Sequence, residues 1–112
     1  MDERALLEAR WLSLTRERLP AAASGRGWPV RFDHCFQRIL LDNACGDVWY
    51  RRIAGRPAYA HAPDTILRAA VEMGERVLNG EADLWALDDS SLAWRGKPLK
   101  GRGRIRANRE HG

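Results

Sequence analysis

Phe32-Asp33-His34-Cys35-Phe36-Gln37-Arg38-Ile39-Leu40-Leu41-Asp42-Asn43-Ala44-Cys45 runs without a glycine or proline and is closed by Gly46. Wound at about 100° per residue, it places Phe32, Phe36 and Ile39 on one apolar face. Cys35 and Leu40 lie at the edges of that face and Asn43 near its middle. The opposite side carries His34, Leu41 and Cys45, with Arg38 and Asp42 beside them. A surface helix shows one apolar stripe. Apolar residues on both sides mark this segment as a central helix, touched by neighbours around most of its circumference.

The flanking chain supplies those neighbours. Upstream, residues 3–14 read as a first helix, with Leu7, Trp11 and Leu14 on one stripe and acidic residues in the first turn. Pro20 cannot sit deep inside a helix without breaking it, which leaves open how far past Thr15 the first helix runs; Ala21-Ala22-Ala23 is assigned to a short second helix ending at Ser24-Gly25. Gly25-Arg26-Gly27-Trp28-Pro29 is a loop. Downstream, residues 47–53 allow one or two helical turns. Gly55-Arg56-Pro57 and Ala62-Pro63 then bracket a loop holding Tyr59 and His61. Asp64 reads as an N-cap. Ile66, Ala70, Met73 and Val77 form the stripe of the helix it opens, and Asn79-Gly80 ends that helix. A last helix is expected from Glu81 to Trp94, with Trp94, like Trp11, in the core. No segment alternates with a period of two. The expectation is an all-α fold: a small bundle of four or five helices over residues 1–94, with a flexible, disordered basic C-terminal tail over residues 95–112.

Charge divides along the same boundary. The chain has 112 residues and a formal net charge of +4. Residues 1–94 carry 12 Lys and Arg against 14 Asp and Glu, a balance of −2; residues 95–112 carry 7 against Glu110 alone, a balance of +6. The body is therefore mildly acidic, and attraction for polyanions resides in the tail. No apolar run approaches the ~18 residues needed to span a bilayer. Cys35 and Cys45, if on one helix, stand about 15 Å apart, beyond the ~7 Å that a disulfide tolerates. Free thiols and an acidic, amphipathic N-terminus point to the cytoplasm.

The chemistry-bearing residues are few. His34 and Cys35 are adjacent on a helix and diverge by about 100°, so they form no nucleophile–base pair. No paired zinc-ligand spacing is present. No catalytic residue, metal or cofactor is therefore assigned. Arg38 and Asp42 are spaced for an i,i+4 ion pair. With His34 they form a polar seam that Trp28 and Trp49 flank, which makes Trp28, His34, Arg38, Asp42 and Trp49 the candidate pocket. Trp49-Tyr50-Arg51-Arg52 joins aromatic rings to cations, a pairing suited to stacking bases and meeting phosphates. Arg51, Arg52, Arg95, Lys97, Lys100, Arg102, Arg104 and Arg106 are the candidate contacts to a nucleic acid or another acidic partner. The function this predicts is a small accessory or regulatory binding protein.

Three stretches carry a resemblance: Leu14-Thr15-Arg16-Glu17-Arg18-Leu19, Trp28-Pro29-Val30-Arg31-Phe32-Asp33-His34-Cys35-Phe36 and Ser91-Leu92-Ala93-Trp94-Arg95-Gly96-Lys97. They resemble a family of small proteobacterial proteins often named GNAT-related N-acetyltransferase. The resemblance spans about residues 14–97 and implies N-acetyltransferase activity as the alternative function. The acetyl-CoA motif of that superfamily is Arg/Gln-x-x-Gly-x-Gly/Ala between a strand and a helix. Its nearest counterpart is Gly101-x-Gly103, with Pro98 at the Arg/Gln position.

Overall fold

A computed structural model describes residues 2–101. Among them every regular element is helical. Asp2 caps the first, its carboxylate accepting from the Ala5 N–H at 2.7 Å. Helix α1 (Glu3–Ser13) passes through a π-helical segment, Leu14–Arg18, into α2 (Leu19–Arg26). Residues 3–26 thus form one continuous rod, where the sequence suggested two helices. The π turn explains this. The Leu19 N–H reaches back five residues to the Leu14 carbonyl. This wider turn sits directly before the proline, whose ring otherwise collides with the carbonyl four residues earlier.

Helix α3 (Asp33–Cys45) is the hub. It packs against α5 (Asp64–Leu78), α6 (Leu84–Trp94) and the long rod. Phe36, Ile39, Leu40, Leu41 and Asp42 are all buried, which confirms its central place. Phe32 departs from the expected apolar face and is 60% exposed. It is the cap residue, with extended backbone (φ −106°, ψ 151°), so its side chain does not follow the helical wheel. At the other end Gly46 adopts φ +71°, the left-handed geometry that glycine enters without strain.

Between α3 and α5 the chain forms a short 3₁₀ turn (Trp49–Arg51) and the one-turn helix α4 (Ala58–His61). Pro63 rather than Asp64 caps α5; the Asp64 carboxylate instead binds Arg4 at 2.6 Å, tying the loop to α1. Helix α6 starts three residues later than expected. The N–H groups of Glu81 and Ala82 bond back to the Arg76 carbonyl and close α5. Asp83 then caps α6 by accepting from the Trp85 N–H at 2.9 Å. The buried arc of α6 holds Leu84, Asp88, Ser91 and Leu92. Trp94 falls off the edge of this arc and is exposed, unlike Trp11, which is fully buried.

The expected boundary at residue 95 also moves. The Lys97 N–H bonds to the Leu92 carbonyl at 2.9 Å. The N–H groups of Lys100 and Gly101 bond to the Asp89 carboxylate. Residues 95–101 therefore fold back along α6 as a strap, because buried and half-buried aspartates hold their cations and backbone. Arg102, Arg104 and Arg106 lie outside the described residues.

Candidate functional site

Beneath one surface of α3 lie two carboxylates with no exposed area, Asp42 and Asp88. Asp42 accepts four hydrogen bonds: from the Trp49 N–H at 2.9 Å, the Ser91 hydroxyl at 2.7 Å, Arg95 Nε at 2.7 Å and Arg95 Nη2 at 3.1 Å. Asp88 binds Arg38 Nη2 at 2.8 Å through one oxygen and Lys100 Nζ at 2.9 Å through the other. Ser91 joins the two pairs, accepting from Arg38 Nη1 at 2.8 Å while donating to Asp42. Its hydrogen bonds to Asp42 raise the pKa of Arg95 further above its already high value. Buried charges persist when they are paired; Asp88 Oδ2 has the Lys100 ammonium as its ion-pair partner and accepts no hydrogen bond.

This network backs a cleft. It has a volume of about 260 Å³ and is lined by His34, Gln37, Arg38, Leu41, Trp49 and Arg56 together with Pro57 and Ala58. Asp88 and Ser91 hold the Arg38 guanidinium, and Asp42 holds the Trp49 backbone. The Arg56 guanidinium lies 5.2 Å from the Trp49 ring centre. The loop carrying Arg56 depends on Gly55, whose φ is +122° and whose missing Cβ leaves room for the His61 ring. Among the described residues no carboxylate lines the cleft. Above it, His34 stacks on Phe32 at 5.9 Å with the ring planes 4° apart, and Arg31 lies 5.9 Å from the Phe32 ring. Below it, Tyr50 meets Trp49 edge-to-face at 5.6 Å, and Arg95 lies 5.6 Å from the Tyr50 ring. His34 thus joins the Phe32 and Arg31 pair to the cleft, and Trp49 joins Tyr50 to it.

The five pocket candidates part company here. His34, Arg38 and Trp49 line this cleft, while Asp42 lies behind it. Trp28 packs edge-to-face on Phe36 at 5.9 Å and lines a different cleft. The i,i+4 pair of Arg38 and Asp42 does not form, because each finds a closer partner across the interface with α6 and the strap. Among the proposed acidic-partner contacts, Arg52 and Lys97 are exposed, and Arg51 is paired with Asp47 at 3.1 Å on the surface. Hydrogen bonding from the Val48 N–H, and then Arg51, lowers the pKa of Asp47. Arg95 and Lys100 are committed to the buried aspartates. Sequence reasoning missed Arg56, the exposed Phe32 and Asp88. The signal for Asp88 was present: an acidic residue four positions after Leu84 and three before Ser91, on the inward stripe of α6.

Both cysteines are free. Burial, and then the Asp42 charge, raises the pKa of the Cys45 thiol. Among the described residues no three His, Cys, Asp or Glu side chains converge as a metal site, and no helix is long and apolar enough to cross a membrane. No protein-family model, curated protein or solved structure matches the chain.

Proposed function

We propose that the protein is a small accessory binding module that engages single-stranded nucleic acid on the face formed by the start of α3, the Trp49 turn and the Arg56 loop. The observation that carries this reading is the set of rings and cations beside a cleft that no carboxylate of the described residues lines: Arg31 at exposed Phe32, Arg56 at Trp49, and the open ring of Tyr50. Phe32 and Tyr50 are 60% and 54% exposed. Open rings with cations beside them suit the stacking of bases. Phosphates meet the exposed arginines, and bases stack on the rings. The remaining basic residues of the C-terminus add attraction that carries no sequence preference.

The test is fluorescence anisotropy of a labelled single-stranded oligonucleotide of about 12 nucleotides, within the ~4–16 that one small domain covers. Phe32→Ala with Tyr50→Ala should leave the melting temperature unchanged and weaken binding by at least ~1 kcal/mol for each lost stack. Equal affinity of wild type and double variant would overturn the reading. So would a rise in melting temperature with acetyl-CoA, which stabilises the folded state only if it binds there and would support the acetyltransferase activity that the family resemblance implies.

A further inference from the structure

The cleft between α3 and the Arg56 loop holds two guanidinium groups, and each is anchored by a different device. Arg38 gives two of its five N–H groups to Ser91 and Asp88, both at 2.8 Å. Three remain for a ligand. The Asp88 carboxylate does not cancel the Arg38 charge, because it also meets Lys100 at 2.9 Å, so one anion faces two cations. Arg56 lines the same cleft from the loop before α4. Its guanidinium is exposed and lies 5.2 Å from the Trp49 ring centre, so one face of Trp49 serves as its platform. His34 also lines the cleft, but Asp33 Oδ1 stands 3.6 Å from its Nδ1. The charges open to a ligand are therefore the two arginines.

A pair of anchored guanidinium groups is suited to a phosphoryl group, because their planar N–H forks match its oxygens and little ordering is left to do on binding. Size narrows the ligand further. A cleft of about 260 Å³ falls below the ~300–1,000 Å³ of pockets that enclose a drug-sized ligand, so it takes one end group and not a stretch of strand. Its remaining wall, Leu41 with Pro57 and Ala58, is apolar and suits the sugar next to that group. Charge points the same way. A phosphomonoester carries about −1.5 to −2 charges at pH 7, which two guanidinium groups match; an internal phosphodiester carries a single charge.

We propose that this cleft holds a terminal phosphomonoester of the bound strand, with its oxygens between Arg38 and Arg56. The module then prefers phosphorylated ends. The proposal rests on the single-strand reading of the surrounding face and adds a recognised group to it: the open rings bind any strand, and the arginine pair selects its end.

The experiment uses the full chain and fluorescence anisotropy at fixed salt. One internally labelled oligonucleotide of about 12 nucleotides is compared with a 5′-phosphate, with a 3′-phosphate and with hydroxyls at both ends. At least one phosphorylated form should bind ~tenfold or more tighter than the hydroxyl form, the scale of hydrogen bonds to a charged group, and the form that gains identifies the end. Arg56→Gln should abolish that ratio with the melting temperature unchanged. Arg68→Gln removes an equal charge from α5 outside the cleft and should leave the ratio intact. Phe32→Ala with Tyr50→Ala should weaken all three forms by one common factor. Equal affinities for the three forms, still sensitive to Phe32 and Tyr50, would overturn the end site and leave the single-strand reading standing; binding of none would overturn both. A ratio that Arg56→Gln leaves unchanged, or that Arg68→Gln lowers as much, would also overturn the end site, since net charge alone would then be acting.

Discussion

Asp42 shows what single residues do here. It has no contact with water and satisfies four donors from three parts of the chain. Asp42→Ala leaves the Arg95 guanidinium and the Trp49 N–H without their acceptor. The expected cost is about 3 kcal/mol, near the lower end for breaking a buried pair because Arg95 keeps some access to water. Arg51→Ala, at the exposed pair with Asp47, should leave stability almost unchanged. Urea midpoints at constant m-value measure both, and equal losses would contradict the distinction. Cys45 gives a prediction in pH. Its raised pKa means that the folded state favours the neutral thiol, so this contribution to stability is present below the unfolded thiol pKa and lost as pH climbs through the folded value. Alkylation of Cys45 by iodoacetamide should be slower at neutral pH than that of a free cysteine and should accelerate only in more alkaline solution; reaction at the free-cysteine rate would contradict it. At this scale the sequence was legible where the cause is local. Asn43 sits near the middle of the apolar face, as the wheel places it, and its side chain bonds the Ile39 and Leu87 carbonyls at 2.8 and 2.9 Å. Arg38 was misjudged because its partner lies 50 residues away on α6, and no spacing rule reaches that far.

Among the elements, the long rod and its contact with α5 are the most informative. Gly74 lies inside α5, where glycine costs about 1 kcal/mol relative to alanine. A Cβ there would stand 2.5 Å from Leu14 Cδ2 and 3.0 Å from Leu40 Cδ1. Leu14 and Leu40 are fully buried, so any shift of these side-chain ends disturbs the close-packed core around them. Gly74→Ala should therefore lower stability by ~1–3 kcal/mol through overpacking, despite the better helix propensity; a higher melting temperature would show that the contact yields. Thr15 marks the π turn at the same crossing. Its hydroxyl donates to the Trp11 carbonyl at 2.9 Å and accepts from Gln37 at 3.0 Å. Helix existence and type were readable from the 3.6-residue stripes of α1, α3, α5 and α6. The boundaries that moved did so for tertiary reasons. Asp64 left its cap to meet Arg4, the turn closing α5 absorbed residues 81–82, and a π bond carried the rod past Pro20.

For the molecule as a whole, the charge asymmetry seen in the sequence becomes a spatial arrangement. The strap returns Arg95 and Lys100 to buried carboxylates, so truncations at two positions should differ. Ending the chain after Gly101 should reduce polyanion affinity and flatten its salt dependence while leaving the melting temperature unchanged. Ending it after Arg95 should also destabilise the fold, because Asp88 then loses Lys100. Composition could not reveal this, since Lys100 and Arg102 look alike until the positions of Asp88 and Asp89 are known. The aromatic–arginine face was partly visible as Trp49-Tyr50-Arg51-Arg52; its other half, Phe32 and Arg56, was hidden by a wheel that turned Phe32 inward and by a loop with no periodicity. The most direct test of its role is the affinity for a single-stranded oligonucleotide at fixed salt, compared between wild type and Phe32→Ala/Tyr50→Ala/Arg56→Gln. The face predicts a loss of at least ~30-fold, about 2 kcal/mol, with the melting temperature unchanged. Undiminished affinity in a folded triple variant would contradict it.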